Sequence, residues 1–117
     1  MTIDDDEDGS RRVIELVRIV GPPSRAAIVV RSGKVVSQVV QLAGSPEITA
    51  LTLACPRGRD GTLFLTSAPA PSVCELALRI GIRRVVLTPD VVWDEAERAR
   101  WARAGLELVQ ARDEVAA

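Results

Sequence analysis

The sequence predicts an α/β fold: a three-layer α/β/α sandwich around a mixed five-stranded sheet. Two observations predict it. Two β-branched runs, at residues 26–30 and 34–40, are separated by Arg31-Ser32-Gly33, which is the pattern of an antiparallel hairpin. After them, helical and strand-like segments alternate to the end of the chain, and such alternation places strands parallel through helical crossovers. The sheet is therefore expected to be antiparallel at one side and parallel at the other.

The chain opens on Asp4-Asp5-Asp6-Glu7-Asp8, a run too charged to bury, so residues 1–9 are expected to form a disordered acidic tail. With Ser10 as N-cap, Val13, Ile14, Leu16, Val17 and Val20 recur at helical spacing, and Gly21-Pro22-Pro23 stops that helix. The hairpin follows. Ser45-Pro46-Glu47 begins a helix that runs to about Cys55, with Pro46 at the first helical position, where its missing N–H is not needed. A loop, residues 56–61, leads to a short apolar strand at 62–66 of the kind buried on both faces. Pro71 starts the next helix, which ends at Gly81, and residues 83–88 form another strand. Asp94 caps a helix through Arg103, Gly105 stops it, and residues 106–110 return as the last strand. Residues 10–112 are read as one domain and 113–117 as a C-terminal tail.

Composition bounds the function. At 117 residues and 47% hydrophobic side chains, the chain has material for a single core. A net charge of −1 makes no case for a nucleic-acid partner. No apolar run is long enough to cross a bilayer, and the acidic N-terminus is opposite in charge to a signal peptide, so a cytoplasmic protein is expected. There, Cys55 and Cys74 are expected to be reduced. All but one of the 15 basic residues are arginine, a usage suggesting a GC-rich bacterial genome.

Two segments carry a family resemblance. Thr66-Ser67-Ala68-Pro69-Ala70-Pro71-Ser72-Val73 follows a strand and precedes a helix, and the next strand opens Gly81-Ile82-Arg83-Arg84-Val85-Val86. This resembles the zinc-site segment of the cytidine and deoxycytidylate deaminases, where a strand ends in Thr-x-x-Pro-Cys-x-x-Cys and the next opens Gly-Ile-(Lys/Arg)-Arg-Val-Val. Their His-Ala-Glu corresponds to Ser45-Pro46-Glu47. The resemblance spans about residues 24–112 and implies their fold, with parallel last strands as in the deoxycytidylate and tRNA-adenosine branches. It argues against their chemistry. The histidine position holds Ser45 and the cysteine positions hold Ala70 and Val73, whereas zinc needs three or four Cys, His or carboxylate donors. A one-residue slip to Cys74 would restore one sulfur, yet it would break the spacing to Gly81 and leave no histidine in the chain. No metal and no other cofactor is expected.

Glu47 keeps the place of the family's proton-shuttling glutamate and is the candidate acid/base. The plainer reading, that Ser-Pro-Glu is an ordinary helix start with Ser45 as cap, is preferred. Ser45, Thr49, Thr66, Ser67, Ala70, Ser72, Val73 and Cys74 are the expected lining of the former metal pocket, where two helix N-termini would offer backbone N–H groups. Cys74 lies in a first helical turn, which favours a thiolate, but burial in the core is the preferred reading. Trp93 and Trp101 are read as core or interface residues ahead of ligand stacking, and Arg79, Arg83 and Arg84 as solvated ahead of phosphate contacts.

The preferred function is a zinc-free, non-catalytic deaminase-fold subunit that assembles or binds a small ligand. It would be a homo-oligomer, or a hetero-oligomer with an active deaminase-like subunit. The alternative is a metal-independent enzyme of bacterial specialised metabolism, in which Glu47 drives a cyclisation, isomerisation, elimination or hydrolysis.

Overall fold

The computed structural model describes residue 3 and residues 5–21, 24–42, 44–55, 57–69 and 72–111. Among them the order is α1 (Asp6–Val20), β1 (Arg25–Arg31), β2 (Lys34–Gln41), α2 (Pro46–Ala54), β3 (Thr62–Leu65), α3 (Val73–Ile80), β4 (Arg84–Leu87), α4 (Glu95–Arg103) and β5 (Glu107–Gln110). The strands form one five-stranded sheet in the order β2-β1-β3-β4-β5. β1 is antiparallel to both β2 and β3, whereas β3, β4 and β5 run parallel. This is the mixed sheet the sequence predicts.

Successive residues of a strand face opposite sides, and β1, β3 and β4 are apolar on both. On one side Ala26, Ile28, Val30, Phe64 and Val86 pack under Val13 and Leu16 of α1. On the other, Ala27, Val29, Leu63, Leu65, Val85 and Leu87 meet α2, α3 and Trp101 of α4. Three layers result.

The N-terminus corrects the expectation. The first helix begins at Asp6, so residues 6–9, expected in the tail, are its first turn. Asp5, not Ser10, is the N-cap: its backbone is extended and its side chain accepts from Asp8 N at 2.8 Å. Asp6, Glu7 and Asp8 then sit where the helix dipole favours negative charge. Ser10 is buried inside the helix, and Ile3, also buried, donates its N–H to Gly33 O at 2.6 Å. Gly9 is required by close approach, since a Cβ there would lie 2.0 Å from Phe64 Cε1. The expected C-terminal tail lies outside the described residues.

Arg84 ties the same turn to the sheet. Its Nη1 and Nη2 donate to the two Asp6 oxygens at 2.9 and 2.6 Å, and its Nε donates to Glu107 Oε2 at 2.7 Å. The expectation of a solvated Arg84 is therefore wrong, because its partners on α1 and β5 are remote in sequence. Arg83 pairs with Asp60 at 2.7 Å on the surface, and Arg79 is exposed.

Candidate functional site

The site is set by connectivity around β3. α2 ends in the loop that enters β3, and α3 returns from the end of β3, so both helices start beside that strand's C-terminal end. They contact each other across the Leu65 face of the sheet. Residues in the first turns of α2 and α3, and those just past Leu65, can therefore converge.

Glu47 occupies the first turn of α2 and is 2% exposed, on the face that carries Ala50, Leu51 and Ala54 inward. Val73 opens α3 and is fully buried, and Cys74 is 3% exposed; both belong to the same apolar cluster. Ser67 is half-buried, and its Oγ has no hydrogen-bond partner among the described residues. Glu47, Ser67, Val73 and Cys74 are thus the sequence-predicted residues that remain at this end.

Others depart. Ser45 precedes α2 as expected, but its side chain makes no capping bond; its carbonyl accepts from Ile48 N at 3.1 Å instead. Ser72 precedes α3, is exposed and makes no side-chain cap either. Thr49 is exposed on the outward face of α2, because the inward face is set by residues 47, 50, 51 and 54. Thr66 is turned away as well: Leu65 faces α2 and α3, so the next side chain points to the opposite side. Its Oγ1 accepts from Ala26 N at 2.9 Å, and it lines a cavity of about 230 Å³ against Ile14 and Val17 of α1. Ala70 lies outside the described residues.

The sequence also missed the reach of α4. Asp94 caps it, accepting from Ala96 N at 2.8 Å, and Trp101 anchors it in the core with Trp93 edge-on at 5.9 Å between ring centroids. The Trp pair accordingly packs inside, as preferred. Glu97 and Arg100, on the same helix, are near enough to act on Cys74. Burial pushes that thiol above its ordinary value, Arg100 pulls it down more weakly, and Glu97 and Glu75 push it up. A thiol held up in this way is a poor nucleophile.

These residues do not fit a zinc ion. Val73 presents only buried hydrocarbon and Cys74 only one buried thiol, short of the three or four donors that zinc needs. Among the described residues, no group of three or more His, Cys, Asp or Glu is placed to hold a metal.

The architecture, with α2 and α3 starting side by side at the end of β3, is the cytidine-deaminase-like fold. The dCMP deaminase of cyanophage S-TIM5, solved with dCMP and dUMP, superposes with a TM-score of 0.74 at 14% identity, over 90% of this chain and 95% of that one. NE0047, solved with 2,6-diaminopurine, gives 0.74 at 19% identity over 94% of this chain and 76% of its own. RibD of Acinetobacter baumannii gives 0.74 at 16% identity over 90% of this chain, which corresponds to 34% of the RibD chain. No protein-family model and no curated protein matches the sequence. Among the described residues, no helix is long and apolar enough to cross a membrane.

Proposed function

We propose that this protein is a zinc-free deaminase-fold subunit that works by assembly through the outward face of α2, either with a second copy of itself or with an active deaminase-like subunit. The observation that carries this reading is the chemistry of that face. Ile48 and Leu53 are 39% and 57% exposed, Thr49 and Thr52 stand between them, and the one charged residue of the helix, Glu47, points inward. The exposed side of α4 is, by contrast, rich in charge, and that of α1 mixes Arg11, Glu15 and Arg18 with Ile19 and Val20. A helix face that carries no charge and exposes two large aliphatic side chains suits an interface. Leu42, shortly before α2, and Leu78 on α3 are also exposed, at 61% and 41%.

The test is sedimentation velocity on the purified chain beside Ile48→Lys and Leu53→Glu. A wild-type dimer or tetramer that the substitutions dissociate supports self-assembly. A monomeric wild type that co-purifies with a zinc-containing deaminase and changes its rate moves the reading to the mixed assembly, and a monomer with neither property defeats both.

A second reading is favoured by the burial of Glu47. An ordinary helix-start glutamate can stay in water, whereas Glu47 is turned inward toward Ala50 and Leu51. In this reading Glu47 is the acid/base of a metal-independent enzyme, with Ser67 and the two helix starts orienting a carbonyl. Glu47→Gln preserves shape, so loss of an activity with an unchanged melting curve would establish it.

A further inference from the structure

At the opposite end of the sheet from Glu47, we propose a binding cleft for a phosphate-bearing small molecule, with Arg59 and Arg83 as its cationic ligands. The cleft, of about 630 Å³, opens between the C-terminal ends of α3 and α4 and is lined by Arg59, Asp60, Arg83, Arg84 and Glu107, with Gly81 and Gly105 in its walls. That volume is in the range of small-molecule sites. The two glycines end the helices in left-handed conformations, φ +93° and +98°, and the absence of side chains there keeps the cleft open.

Its carboxylates are already engaged. Asp60 accepts from Arg83 Nε at 2.7 Å, and Glu107 accepts from Arg84 Nε at 2.7 Å. Arg84 also spends both terminal nitrogens on Asp6, so it forms a neutralised back wall. Arg59 is different. Its stem lies on Gly81, with Cγ 3.0 Å and Cα 3.4 Å from where a Cβ would project, while its guanidinium has no partner among the described residues. The stem is positioned, and among the described residues the head is free. Among the described residues the terminal nitrogens of Arg83 are also uncommitted, since its pairing with Asp60 uses Nε. Two forked donors at one opening, with their local acids satisfied, suit the oxygens of a phosphate group better than a carboxylate's two.

Arg79 and Arg103 stand in the last turns of α3 and α4, the helices whose ends frame the cleft. Their charge offsets the negative helix ends and leaves the opening attractive to anions within a Debye length. The preference is for a small ligand over a nucleic-acid backbone, because the donors are gathered at one cleft and do not form a stripe.

The probe is inorganic pyrophosphate, titrated calorimetrically into the full chain at low salt. The expected result is saturable one-to-one binding that weakens at least tenfold in Arg59→Ala and in Arg83→Ala. It should survive in part in Arg59→Lys and be unchanged in Arg18→Ala, a remote exposed arginine on α1. Arg59 is exposed and its guanidinium makes no hydrogen bond or ion pair among the described residues, so Arg59→Ala should lower the melting temperature by no more than a few degrees. Absence of saturable binding overturns the proposal, as does equal weakening in Arg18→Ala or unchanged affinity in Arg59→Ala. Tighter binding of single-stranded oligonucleotide than of pyrophosphate would replace it with a nucleic-acid surface.

Discussion

Replacing Gly9 with alanine sets two rules against each other. In an exposed helix interior, Gly→Ala stabilises by about 1 kcal/mol through backbone entropy and propensity. Here the added methyl would lie 2.0, 2.3 and 2.4 Å from Phe64 Cε1, Cζ and Cδ1, where carbon atoms normally approach to about 3.5–4.0 Å. Relief requires movement of more than an ångström. The ring is 2% exposed under α1, and the helix start is pinned by Asp6 to Arg84, so neither partner moves freely. Overpacking of this kind costs about 1–3 kcal/mol, and subtracting the propensity gain of about 1 kcal/mol leaves a net destabilisation of up to about 2 kcal/mol. Urea unfolding followed by fluorescence of Trp93 and Trp101 measures it, and Phe64→Leu in the same chain should recover part of the loss. If Gly9→Ala instead stabilises by about 1 kcal/mol, Gly9 lies in an exposed helical turn and not against the Phe64 ring.

Removing Arg84 as Arg84→Met leaves Asp6 and Glu107 without their shared cation, and should destabilise by about 1–2 kcal/mol at low salt and by less at high salt, read from urea midpoints. The two cysteines should separate under iodoacetamide: exposed Cys55 is alkylated in the native protein, whereas buried Cys74 reacts only on unfolding, which peptide mass spectrometry resolves. Because folding raises the Cys74 thiol, the stability it contributes is full below the ordinary thiol value and is lost as pH rises through the raised one. Cys74→Ala should therefore flatten the alkaline limb of the stability profile.

What could be read from the sequence follows the range of the interactions. The hairpin and the parallel strands are written in local β-branched runs and in alternation with helices, so the strand directions follow from short-range pattern. The start of α1 is not local: a run of acids reads as solvated until Arg84, 78 positions from Asp6, supplies the partner. Gly9 was equally mute, since nothing near it names Phe64 as the ring above it. Two of the misplaced pocket residues were recoverable. Thr49 falls outside the inward set of Glu47, Ala50, Leu51 and Ala54 by helical spacing, and Thr66 follows inward Leu65 by strand alternation. The polar reach of α4 toward Cys74 depends on how Trp101 seats the helix, which no spacing announces.

Val73 decides how much room lies between the starts of α2 and α3. Its side chain is part of the apolar cluster with Ala50, Leu51 and Leu65, so the two helix starts are held by hydrocarbon contact. Val73→Thr keeps the shape and adds one hydroxyl. If the floor is dry and closed, that hydroxyl loses its water without a partner, and unfolding stability should fall by about 1–3 kcal/mol. If a wet pocket with room for a substrate lies beside it, the hydroxyl meets water and the change should stay within about 0.5 kcal/mol. The first outcome leaves Glu47 in a packed interior and turns attention to the outward face of α2; the second gives Glu47 and Ser67 a space in which to act. One urea titration thus separates the two readings of the same scaffold before any substrate is known.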